Sequence, residues 1–169
     1  SAIEIDKICF ETLLPEQNYQ LPKYKEETSI KLGFRITNNS SIPYLFELPH
    51  FVPDLSNPDG ILIEMDFGRN MTIPIKESDI PFIYPGKSEE LTINTRVVRN
   101  RYSGITLVAY ADYGTVFSFR NLVPGEYNIR LKYISRSSNH RVHPGLEYRE
   151  YDGFWVGEVF TPLKKLYLR

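Results

Sequence analysis

Cysteine is almost absent from this chain. Cys9 is the single one among 169 residues, so no intrachain disulfide can staple the fold. Flanked by Ile8 and Phe10, its thiol reads as an inert side chain within a strand rather than a nucleophile. An excess of one charge sign is missing as well. The 20 basic residues stand against 21 acidic ones, which gives no reason to expect nucleic acid or a membrane surface as partner. No apolar run approaches the length of a membrane span and no signal peptide opens the chain, so no membrane insertion is expected. A soluble protein is expected, in an extracytoplasmic or a cytoplasmic compartment. Helical periodicity is lacking too, since no long stretch keeps an i, i+3, i+4, i+7 apolar face free of Pro, Gly or β-branched interruptions.

Catalytic signatures are equally scarce. Neither the nucleophile elbow Gly-x-Ser-x-Gly, nor a P-loop, nor Gly-x-Gly-x-x-Gly occurs. The histidines are His50, His140 and His143. The paired carboxylates Glu26-Glu27 and Glu89-Glu90 are adjacent, so on strands they point to opposite faces. The chain is therefore expected not to be an enzyme and to need no cofactor and no metal.

What is abundant favours strands. Aromatic residues make up 14% of the chain, with 12 Tyr and 10 Phe, and these residue types suit a pleated, half-buried surface. Ile30, Leu32, Phe34 and Ile36 alternate with Lys31, Gly33, Arg35 and Thr37, the pattern of a strand with one wet face. Asn38-Asn39-Ser40-Ser41 reads as the turn after it, and Tyr44 to Leu48 as the returning strand. Ile105 to Tyr110 and Thr115 to Phe119 read as a hairpin across Asp112-Tyr113-Gly114. Tyr127 to Ser135 and Trp155 to Phe160 form the last long pair, with Leu163 to Leu168 continuing past Pro162. Prolines 49, 53 and 58 mark an irregular connection. The sum is one domain over residues 1–169, an all-β fold of two antiparallel sheets with about eight to ten strands.

The stretch Leu122-Val123-Pro124-Gly125-Glu126-Tyr127, followed by Ile129, Leu131 and Tyr133, resembles the corner and penultimate strand of immunoglobulin-like and fibronectin type III-like domains. The strand from Ile30 to Ile36 with Pro43-Tyr44-Leu45-Phe46 resembles their second and third strands, and Trp155-Val156-Gly157-Glu158-Val159 the start of their last. The likeness covers about a third of the chain. It implies an elaborated immunoglobulin-like β-sandwich in which the Tyr127 hydroxyl bonds backbone near Leu122 to Pro124, and Trp155 packs inside. Tyr127 and Trp155 are thus structural. Such folds carry many unrelated functions, so no activity comes with the likeness.

Charge is distributed unevenly along the chain. Residues 1–95 carry 8 Lys and Arg against 15 Asp and Glu, residues 96–141 carry 8 against 2, and the remainder 4 against 4. The connection from Arg136 to Gly153 gathers Arg136, His140, Arg141, His143, Tyr148, Arg149 and Tyr151. Aromatic stems offer rigid contact area and arginines offer forked donors. If the corner fixes one end of the strand from Tyr127, this connection emerges at the other. His140 and His143 with Glu147 or Glu150 would be half a metal site, but a Pro-Gly loop lacks the fixed geometry that ligands need. Asn57, Asp59, Gly60 and Asp66 echo a calcium loop, yet Leu55 stands at its first ligand position and Pro58 interrupts it. Asn38-Asn39-Ser40, Asn39-Ser40-Ser41 and Asn70-Met71-Thr72 fit the glycosylation sequon.

The expected role is a noncatalytic interaction module that binds a protein or peptide, acidic in view of the arginines, through its end loops. The alternatives are a proteinase inhibitor presenting the 49–60 loop, and a carbohydrate-binding module using Trp155. Nothing in the sequence specifies an oligomeric state.

Overall fold

The structure is a computed structural model that describes residues 1–47, 50–69, 76–102, 104–111, 114–142 and 148–169. It is all-β: sixteen strands and one short 3-10 turn at Glu77–Asp79 make up the described regular structure. The larger sheet has seven strands in the order β1 (Ile3–Ile5), β2 (Ile8–Leu13), β4 (Glu27–Asn38), β9 (Ser88–Asn100), β10 (Gly104–Tyr110), β11 (Thr115–Leu122) and β7 (Asp66–Arg69). All its pairings are antiparallel. The longest ladder runs from Glu27 opposite Val98 to Thr37 opposite Ser88. The alternation read along β4 sets its two faces: Ile30, Leu32, Phe34 and Ile36 are buried, while Lys31 is exposed and Arg35 half-buried. Gly33 lets β9 approach, since a Cβ there would meet Leu91 O at 2.5 Å. Asp6 and Lys7, both at positive φ, make the tight turn between β1 and β2.

The second sheet is organised around β12 (Gly125–Ser135). On one side it pairs with β6 (Phe51–Ser56), and on the other with β15 (Gly157–Phe160) and then β16 (Lys164–Leu168). β3 (Asn18–Tyr19) adds in parallel to β16. Between β15 and β16 the ladder breaks at Pro162, which has no N–H to give. Thr161 repairs it: its N–H donates to Leu131 O at 2.8 Å, and its Oγ1 accepts from Leu131 N–H at 2.8 Å. Its hydroxyl also meets the Thr12 hydroxyl of the other sheet.

The inner faces of the two sheets share one apolar core. Phe34 of β4 stacks on Phe51 of β6 with ring centroids 3.6 Å apart, and Phe51 stacks on Tyr133 of β12 at 4.6 Å. Phe10 of β2 lies 4.9 Å from Trp155, which is 1% exposed. Trp155 folds back over Gly157, where an added Cβ would come within 2.4 Å of the indole. The chain crosses from the larger sheet to the second between Leu122 and Gly125. At that corner the Tyr127 hydroxyl donates to Val123 O at 2.7 Å and accepts from Val123 N–H at 3.0 Å.

At the opposite end a smaller structure caps the sandwich. β5 (Tyr44–Leu45) pairs with β8 (Phe82–Ile83), and β13 (Asn139–Val142) pairs with β14 (Arg149–Asp152). Leu45, Ile80, Val142 and Phe154 form a second buried cluster there, with Tyr151 against it. Asn38 ties this cap to the end of β4, its side-chain amide donating to Ile42 O and Ile83 O at 2.8 Å each. Asn38 is fully buried, which removes it as a glycosylation acceptor, whereas Asn39 is exposed. Asn70-Met71-Thr72 lies outside the described residues, as do Asp112 and Tyr113, where a hairpin turn is expected from the sequence.

Three expectations are corrected. The described strands number sixteen rather than eight to ten: β3 and β8 are two residues long and too short for any alternation to register, β6 is obscured in the pattern by Pro53, and β13 and β14 lie within what reads as a connection. Tyr44 does not return along β4, whose neighbours are β2 and β9; it pairs with β8 instead. Phe51–Ser56 is a strand despite Pro53, which is tolerated because β6 edges the sheet and pairs with β12 on one side only.

Candidate functional site

The connection expected as a contact loop is the β13–β14 hairpin, and its register divides the residues between two faces. His140 lies opposite Tyr151 and Val142 opposite Arg149, so these four share one face. Val142 is buried, His140 and Tyr151 are half-buried, and Arg149, exposed at the end of the pairing, reaches Glu77 of the 3-10 turn at 3.8 Å. This face is turned to the protein. Arg141 lies opposite Glu150 and Asn139 opposite Asp152, and all four are exposed. Arg141 bonds Glu150 at 3.3 Å and sits 5.9 Å from the ring centre of Tyr148, which is 71% exposed. Arg136 is exposed at the foot of the hairpin. His143 and Glu147 lie outside the described residues.

Under the inward face is a polar cluster. Glu47, only 6% exposed, places Oε1 3.2 Å from His50 Nε2 and Oε2 3.5 Å from His140 Nδ1. The Glu47 N–H donates to the Tyr133 hydroxyl at 3.3 Å. Burial pushes the Tyr133 phenol up, so it stays protonated even though it accepts that N–H. His140 Nε2 faces Ser137 O at 2.6 Å and Ser135 Oγ at 3.4 Å, and its ring packs on Phe154 at 4.3 Å.

Ser135, His140 and Glu47 have the connectivity of a nucleophile, base and orienting acid, but not the means to act as one. Ser135 is 3% exposed, out of a substrate's reach, and the carbonyl of Ser137 occupies His140 Nε2 more closely than the serine does. Cys9 is no better placed as a nucleophile. Burial raises its thiol pKa, and the Glu4 carboxylate to which it donates at 3.2 Å raises it further. No group of three or more His, Cys, Asp or Glu side chains among the described residues is arranged to hold a metal ion.

The charge imbalance along the chain is cancelled in space. From the basic stretch, Arg96 pairs with Glu27, Arg120 with Asp66, and Arg130 with Asp54, all partners from the acidic stretch. Lys132 pairs with Glu158. No broad basic face results from these residues. Asn57, Asp59 and Gly60 form a turn in which Asn57 Oδ1 accepts from Ile61 N–H at 2.9 Å. The 49–60 segment, expected to offer an extended loop to a protease, is taken up from Phe51 by β6 and then by this turn. Trp155 lies in the core rather than on a surface where a sugar could stack.

Sequence reasoning missed Glu47 and His50. The available signal was an acidic residue set directly after the apolar pair Leu45-Phe46 and three residues before a histidine. No helix among the described residues is long and apolar enough to cross a membrane. Compared with known proteins, the chain matches no family model, no curated protein and no solved structure.

Proposed function

We propose that this protein is a noncatalytic β-sandwich interaction module that binds a protein or peptide through the outward face of the β13–β14 hairpin. One observation carries the reading: Arg141 and Tyr148 stand exposed side by side on a hairpin whose other face is anchored to its own small core. A rigid aromatic beside a forked cation is a good contact pair at low entropic cost. Beyond its bond to Glu150 the Arg141 guanidinium has further forked donors, which suit a carboxylate of the partner. Arg136 extends the same chemistry at the foot of the hairpin.

The test is capture of partners from the native source with the wild-type chain, the double variant Arg141→Ala/Tyr148→Ala, and Arg149→Ala. A partner lost with the double variant and retained with Arg149→Ala, with circular dichroism unchanged in both, supports the outward face. Identical captures from wild type and double variant overturn it.

A further inference from the structure

We propose that β7 is a self-recognition edge: two copies of this chain join by antiparallel pairing of their β7 strands, which continues the seven-stranded sheet of one copy into the other. β7 is the last strand of that sheet and pairs only with β11 among the described residues. Its four residues, Asp66, Phe67, Gly68 and Arg69, are all exposed. The neighbouring ladder determines which of its backbone groups are in use. Ala111 N–H donates to Thr115 O at 2.9 Å, so Thr115 and, by alternation, Phe117 direct their backbone to β10, while Val116 and Ser118 direct theirs to β7. Opposite these two stand Gly68 and Asp66. The N–H and C=O groups of Phe67 and Arg69 therefore point off the edge of the sheet, where they meet no backbone group among the described residues.

The side chains divide in the same way. Asp66 lies on the outer face and pairs with Arg120 at 3.2 Å. Phe67, opposite Phe117, is turned to the inner face yet is 62% exposed, with the Phe117 ring 5.7 Å from its own. Arg69 shares that face and forms no ion pair among the described residues.

A two-fold axis through Gly68, perpendicular to the sheet, satisfies both sets of groups at once. It sets Phe67 of each copy opposite Arg69 of the other, and each such pair exchanges both of its backbone hydrogen bonds. Directly opposed residues point to the same face, so each guanidinium meets a phenyl ring. Gly68 faces Gly68 at the narrow position between them, and its own chain leaves the space beside it open. The strand is thus complementary to itself, which favours a second copy over a foreign strand. Two other edges do not allow this. On the open side of β6, Pro53 has no N–H and Leu55 O already accepts from Ile63 N–H at 2.8 Å. β1 centred on its middle residue would set Glu4 against Glu4.

Sedimentation equilibrium of the full chain, up to about 1 mM because so short an interface is weak, tests the proposal. The average mass is expected to rise from one chain toward two. Arg69→Pro removes an outward N–H and no bond to β11, and is expected to weaken association at least about tenfold. Cysteine substitutions in a Cys9→Ser background read the register. Opposed Gly68 Cα atoms about 4.5 Å apart permit a disulfide, so mild oxidation is expected to link Gly68→Cys into dimers and to leave Asp66→Cys largely unlinked. A chain that stays monomeric at every concentration, its edge bare or taken up by a foreign strand, overturns the proposal. Association unchanged by Arg69→Pro overturns it as well. If Arg69→Pro does not fold, the two cysteine variants decide: preferential linkage at position 68 supports the pairing, and equal linkage or none overturns it. No residue of the β13–β14 hairpin takes part, so Arg141→Ala/Tyr148→Ala is expected to leave the association unchanged.

Discussion

The two ends of this molecule are held by different physics. At the corner end, β11 hands over to β12 directly above the main core, and the Tyr127 hydroxyl fastens the crossing to backbone. Apolar side chains of both sheets, among them Val97, Ile105, Leu122, Ile129 and Leu166, bury each other there, so the geometry follows from area removed from water. At the cap end, Leu45, Ile80, Val142 and Phe154 provide a small apolar cluster, and polar groups do much of the positioning. Asn38, Glu47, His140 and Ser137 fix that end through directional bonds to backbone and to one another. A fold can thus place its stability at one end and its adjustable parts at the other.

Four substitutions break or sharpen this contrast. Phe34→Ala, which removes the ring stacked on Phe51, is expected to cost about 3–5 kcal/mol in urea unfolding, felt across the whole sandwich. Asn38→Ala removes the buried amide donor to Ile83 O and leaves Ile42 O to the Ser40 hydroxyl alone, at about 1–3 kcal/mol. Its signature is selective, with hydrogen exchange accelerated in β5 and β8 well before β9. Val142→Ala is expected to cost about 1–2 kcal/mol and to lower protection in β13 and β14 while leaving β4 intact. Tyr127→Phe removes only a hydroxyl and is expected to cost about 1 kcal/mol, read as a lower urea midpoint with unchanged slope. Should Val142→Ala shift every amide equally, the cap and the sandwich would be one cooperative unit and the contrast would fall.

The corner end was legible in the sequence and the cap end was not, for a physical reason. Period-two alternation records which face of a long strand is dry, so β4, β10, β11, β12 and the broken pair β15–β16 are visible in Ile30 to Ile36, Ile105 to Phe119 and Tyr127 to Leu168. The tyrosine that closes a corner bonds within four residues of itself, which keeps that signal local. In the cap, bonding partners are distant in sequence: Asn38 with Ile83, Glu47 with His140, Leu45 with Phe154. Strands of two residues leave no period to read. Of the contact residues expected on the 136–153 connection, Arg136, Arg141, Tyr148 and Arg149 are exposed, Arg149 toward Glu77, while His140 and Tyr151 are half-buried against the protein. That division depends on hairpin register, which composition does not encode.

Trp155 is the single tryptophan of the chain. Its indole lies against Phe10 in the main core, and its backbone N–H donates to Leu45 O at the edge of the cap. An indole held 1% exposed among aromatic rings emits at short wavelength and quenches poorly. The chain therefore contains its own optical gauge at the seam between its two ends. An emission maximum that moves to the red while far-ultraviolet dichroism is unchanged would report the seam opening before the sheets come apart, with no label attached.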